Sequence, residues 1–206
     1  MLDKITVKEF AESAYCPAGQ AAYFKSKLCT DYAGFVSAVH RAIDSAVAKM
    51  CENRNFLQDL KENQLTLHIT SALTHMGFDA KLDANSNGHC DVSVNDPRGY
   101  QWLGEAKIHK NDYDWLYDGY LQLTTRYASG SKDQDNGGLI IYCYMSRADL
   151  MMTRWLDHLT KKVSSISAAV CPVNNRCSIT EDMILAYGVK YKVRHIPVAL
   201  FHDPVV

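Results

Sequence analysis

Apolar residues recur along this chain with two periods, about four residues in some stretches and two in others. Between Val7 and about Met50 the apolar members are Phe10, Ala14, Phe24, Leu28, Phe35, Val39, Ile43 and Val47. The last four step by four, which predicts one amphipathic helix, and Cys16-Pro17-Ala18-Gly19 interrupts the helical run before it. A second helix is predicted from near Phe56 to Met76, ended by Gly77, with Leu65, Ile69, Leu73 and Met76 as its buried stripe. Phe78 to Leu82 reads as a first strand and Asp83 to Gly88 as a polar loop. Gly88 to Val94 and Trp102 to Ile108 read as two arms of a β-hairpin. A helix follows from Asp112 to Tyr127 with two stripes: Leu116, Tyr120, Leu123 and Tyr127, and Trp115, Gly119, Gln122 and Arg126. Gly137 to Tyr144 has the composition of a short buried strand, and Arg147 to about Ser167 of a long helix. Val193 to Phe201 is the last strand, placed at an edge by Pro197. The order is that of one α/β domain around a mixed sheet with helices on both sides. Residues 1–55 are read as an N-terminal helical extension packed on a core formed by 56–206.

Composition narrows the class without deciding the function. With 206 residues, 47% hydrophobic and 22% charged, the chain is long enough for one sizeable core. No stretch approaches the roughly 18 uncharged apolar residues of a membrane span, and Met1 to Glu9 mixes charges in place of an apolar signal segment. Seven cysteines without CxxC spacing give neither a zinc ribbon nor a disulfide framework, so the reducing cytoplasm is the simplest setting. Cys171 to Cys177 is read as free thiols in preference to a disulfide or metal loop. A net charge of −1 argues mildly against a nucleic-acid coat protein, but an enzyme that cuts and releases needs less positive charge.

The hairpin holds the chemistry. Side chains alternate faces along a strand, so Glu105 and Lys107 point one way and Trp102, Gly104, Ala106 and Ile108 the other. Cys90, Val92 and Val94 share one face of the first arm, with Asp91 and Ser93 on the opposite one. If Pro97, Arg98 and Gly99 form a three-residue loop, Asn95 pairs with Gln101 and Asp91 falls opposite Glu105. Like charges so placed are destabilising unless something lies between them. A divalent cation answers that, because hard metals take carboxylate oxygens; neutralisation by Lys107 is the plainer alternative. Glu62 lies about 20° off the buried stripe of its helix, where an acid needs a partner. If the helix starts later, Glu62 is a capping or solvated residue. His89 is read as structural, facing away from Asp91, and the Tyr113 to Tyr127 aromatics as helix packing or as base-stacking groups.

At these residues the chain resembles the PD-(D/E)xK nuclease superfamily, over roughly Glu62 to Tyr144. The likeness consists of a helix bearing Glu62, the Asp91 strand, the Glu105-Ala106-Lys107 strand, the Gln122 helix and the strand to Tyr144. It implies a restriction-endonuclease-like αβββαβ core. Cys90 stands where a proline often precedes the motif aspartate, with Gly88-x-x-Asp91 as the local pattern. The resemblance implies that Asp91 and Glu105 hold Mg2+, or Mn2+ in its place, helped by the Ala106 carbonyl. Lys107 orients the attacking water or offsets charge on the phosphate, and Glu62 completes the site or assists a second ion. Gln122 matches a helix glutamine of several exonuclease and resolvase branches, and Arg126 is added from helix geometry as a phosphate contact. The implied activity is a metal-dependent endonuclease, DNA favoured, in restriction or prokaryotic antiviral defence. It acts as a homodimer or as a partner subunit of a defence complex. The rivals are a catalytically silent nuclease-fold scaffold and an RNA-cleaving enzyme.

Overall fold

Helix ends are set by short-range signals. Thr6 and Glu9 close a reciprocal cap at the start of α1 (Val7–Glu12), with Glu9 N–H donating to Thr6 Oγ1 at 3.2 Å and Thr6 N–H to Glu9 Oε2 at 2.7 Å. Pro17 precedes α2 (Ala18–Leu28), and Asp31 caps α3 (Tyr32–Glu52) by accepting from Gly34 N–H at 2.7 Å. α4 (Glu62–Met76) ends on Gly77, whose φ of +106° suits a residue without Cβ. The computed structural model describes residues 4–85, 89–184 and 188–204. Gly88, part of the Gly88-x-x-Asp91 pattern, lies outside them. Among the described residues no helix is long and apolar enough to cross a membrane.

Seven strands form one mixed sheet in the order β1-β2-β3-β4-β7-β6-β5. β1 (Asp79–Asn85), β2 (His89–Asn95) and β3 (Gln101–Ile108) are an antiparallel meander, and β4 (Asn136–Cys143) joins β3 in parallel. The crossover between them is α5 (Tyr113–Leu121), continued by a π-helical turn, Gln122–Tyr127. After α6 (Ala148–Lys162) come β5 (Ser167–Val170), β6 (Ser178–Ile184) and β7 (Val189–Ala199), the last parallel to β4 and antiparallel to β6.

The hairpin register is the expected one, with Asn95 opposite Gln101 and Val92 opposite Gly104. Pro97, Arg98 and Gly99 form the loop: Gly99 N–H donates to Asp96 O at 2.9 Å, and Gly99 takes φ +87°. Asp96 fastens the loop to α2, accepting from Arg98 Nε at 2.6 Å and Lys27 Nζ at 3.0 Å.

Two apolar clusters cover the two sheet faces. One joins Phe35, Val39 and Ile43 of α3 and Leu65, Ile69 and Leu73 of α4 to Val92, Val94, Trp102, Ala106 and Ile140. The other joins Leu116 and Tyr120 of α5, Leu123 and Tyr127 of the π turn and Trp155 of α6 to Leu103, Leu139 and Ile141. Of the N-terminal helices, α2 through Ala22 and α3 therefore belong to the first cluster.

Several boundaries and placements differ from the sequence reading. α4 begins at Glu62, because Gln64 turns back to accept from Lys61 N–H at 2.9 Å and the chain before it makes only a short 3-10 turn at Arg54–Phe56. Asp83 belongs to β1, α6 stops at Lys162, and the β5–β6 hairpin was not anticipated. β7 is an inner strand, not an edge. Its ladder with β6 ends at His195, two residues before Pro197, so the proline faces no strand on that side. Cys90 leaves the face of Val92 and Val94 for the second cluster. The cause is a local break: the β1–β2 ladder skips Asp83 and Asp91, and Asp83 takes φ +52°, a conformation aspartate tolerates. His89, two residues from Asp91 and so on its side of a regular strand, is exposed and bonds Asp83 Oδ1 at 3.0 Å.

Candidate active site

The β2–β3 ladder ends at Val92 and Gly104, one pair short of Asp91 and Glu105. Beyond that point the edge of β3 still carries backbone N–H groups that need acceptors. Side chains supply them. Asp91 Oδ2 accepts from Ala106 N–H at 2.8 Å, and Glu62 Oε2 accepts from Ile108 N–H at 2.7 Å. Glu62 does so as the first residue of α4, which makes the later helix start the feature that places it. A strand residue's carbonyl leaves by the same edge as its N–H, so the Ala106 carbonyl lies on the edge that Asp91 covers.

Glu105 and Lys107 share the other face, as the alternation predicted. Both are nearly sealed from water, at 2% and 7% exposure, and Lys107 Nζ donates to Glu105 Oε1 at 2.6 Å. Among the described residues, Glu105 Oε2 is buried without a hydrogen-bond partner. Burial, reinforced by the negative charge of Asp91, pushes the Glu105 carboxyl up to about 7. Burial likewise raises Asp91 and Glu62, against the opposing pull of the N–H groups they accept from. Three acids thus gather around one buried ammonium, with exposed Lys110 also acting on Glu62, and the cluster is short of positive charge.

The α5 stripe lies over this pair. A Cβ on Gly119 would stand 3.0 Å from Lys107 Cγ and Cε, so the glycine lets the lysine lie along the helix. Lys107 Nζ is 5.0 Å from the centre of the Trp115 ring. Gln122 opens the π turn with its Oε1 buried and unpartnered, and π turns of this kind recur at functional sites. Arg126 is not gathered in: it is exposed, beside the Tyr127 hydroxyl and out of contact with the carboxylates. The four-residue step that placed it is lengthened by the π turn. Tyr127 is the contributor the sequence reading missed, since its hydroxyl donates to His89 O at 2.7 Å, next to the break in β2. The tyrosines in this mostly apolar stripe were the available signal, because a buried hydroxyl needs a partner.

Among the described residues no three His, Cys, Asp or Glu side chains converge closely enough to enclose a metal. Mg2+ does not require that many, as it is commonly held by one or two carboxylates and keeps several waters. The hard oxygen donors, the unpartnered Glu105 Oε2 and the charge imbalance fit such an ion. No protein-family model, curated protein or solved structure matches the chain.

Proposed function

We propose that this protein is a divalent-metal-dependent nuclease of the PD-(D/E)xK type, hydrolysing phosphodiester bonds with DNA as the favoured substrate. The observation that carries the reading is the gathering of Glu62, Asp91, Glu105 and Lys107 where β2 parts from β3. The succession α4, β1, β2, β3, α5, β4 agrees with the αβββαβ core that this reading requires. Asp91 and Glu105, with the Ala106 carbonyl, would hold Mg2+ or Mn2+, and Glu62 would sit at its flank. When bound, the ion supplies a lowered pKa for its water and offsets charge on the phosphate oxygens. Lys107 contributes an ammonium near the scissile group, and the Gln122 amide, its Oε1 buried and without a partner among the described residues, would be available to a bound substrate.

Incubation of plasmid with the protein and Mg2+ or Mn2+ tests this, beside chelator and Asp91→Ala controls. Nicking that needs the ion and vanishes in Asp91→Ala is expected; nicking unchanged in Asp91→Ala would trace to a contaminant and overturn the reading. A parallel digest of structured RNA separates the two substrate classes. One observation favours a second reading, a silent nuclease-fold binding subunit: Glu105 is already paired to Lys107. Absence of cleavage together with retained DNA binding would select it.

A further inference from the structure

Lys107 is the member of this cluster whose surroundings exceed what one ion pair needs. Its Nζ meets Glu105 Oε1 at 2.6 Å on one side and the Trp115 ring at 5.0 Å on the other. The ring already attracts cations, since exposed Lys110 holds its own Nζ 5.4 Å from the same centroid. Gly119 leaves the lysine stem unobstructed, where a Cβ would press on Cγ and Cε at 3.0 Å. A cation bound by Glu105 repels an ammonium in contact with the same carboxylate. The displaced ammonium is buried and requires another stabilising surface.

We infer that Trp115 is a positioning residue that provides a second station for Lys107. In the metal-free protein the ammonium is shared between Glu105 and the indole face, and it is left to the indole face alone when a divalent cation takes Glu105. Gly119 keeps the path between the two stations open. The inference rests on the proposed metal site and adds a residue to it.

Mg2+ alone is the probe, added to the full chain while calorimetry reports binding and tryptophan emission reports the ring. The other two tryptophans, Trp102 and Trp155, are completely buried, and the difference between wild type and Trp115→Phe isolates Trp115. A saturable emission shift that tracks the binding heat is expected. It is lost in Lys107→Met, which still binds Mg2+, and returns in Lys107→Arg. Lys107→Gln serves the same comparison should Lys107→Met not fold. Binding heat without a Trp115 shift, or a shift that persists without Lys107, overturns the inference and leaves the metal site standing. Absence of Mg2+ binding in the wild type overturns both.

Discussion

Two buried ion pairs in this protein are built on opposite plans. Arg194 joins β7 to α3: its Nη2 donates to both oxygens of Asp44 at 2.8 Å and its Nη1 to His40 O at 3.0 Å. Asp44 Oδ1 also accepts from Asn174 Nδ2 at 3.2 Å, so each carboxylate oxygen is engaged and the charges balance. Glu105 and Lys107 share a single contact, leave Glu105 Oε2 unpartnered and have two further acids beside them. The first pair connects two elements with its carboxylate fully engaged, leaving only the Arg194 Nε buried without a partner among the described residues. The second is open, and its surplus of negative charge is what a cation would correct.

The largest effect that separates the two is on catalysis. Glu105→Gln keeps the shape and an acceptor for Lys107 but removes the charge that would hold the ion. Cleavage of plasmid in Mg2+ is expected to fall about 10²–10³-fold, whereas Arg194→Met should leave it within a few-fold at temperatures where that variant is folded. Equal losses in both variants would erase the distinction.

Stability should show the reverse order. Arg194→Met strands Asp44, at a cost of about 3 kcal/mol in urea unfolding, the low end for a broken buried pair, because Asp44 keeps 20% of its side-chain surface exposed. Glu105→Gln should cost less than about 1 kcal/mol at neutral pH, since it relieves a carboxylate that burial disfavours.

The pH dependence sharpens that point. With the folded Glu105 carboxyl at about 7 against an ordinary 4.5, the native state holds a proton that the unfolded chain releases. Stability from this group is full below about pH 4.5 and is lost as pH rises to about 7, by up to about 3 kcal/mol in chelator. Asp96, held low chiefly by Arg98, acts in the opposite direction, and only below the ordinary aspartate range. Urea unfolding at successive pH values should show the slope in wild type and a flatter profile in Glu105→Gln. Identical slopes would remove Glu105 as its source.

Much of this site was legible in the sequence because strand alternation and turn chemistry act locally. Asn95-Asp96-Pro97-Arg98-Gly99 specified the loop, the loop set the register, and the register brought Asp91 towards Glu105. The break at Asp91 was not legible, because it depends on Asp83 taking φ +52° and on Tyr127 holding His89 O from another element. The placement of Arg126 away from the carboxylates was not legible either: a π turn changes the helical step, and no residue in Gln122–Tyr127 announces one. The β5–β6 hairpin escaped because Ser167–Val170 is short and exposed, without the apolar alternation that marks a half-buried strand.

The smallest effect bears on whether the open pair is open to a cation at all. An ion that binds only the folded state stabilises it by RT ln(1 + [L]/Kd), about 1.4 kcal/mol at ten times Kd. Mg2+ should therefore raise the thermal midpoint of the wild type and flatten its pH profile, because an ion on Glu105 keeps that carboxylate charged in the folded state. Both effects should shrink in Glu105→Ala and persist in Arg194→Met, whose own pair offers no free oxygen. Equal midpoint shifts in wild type and Glu105→Ala would place the ion elsewhere on the surface. The Glu105–Lys107 pair would then be as closed in function as the Arg194–Asp44 pair is in geometry.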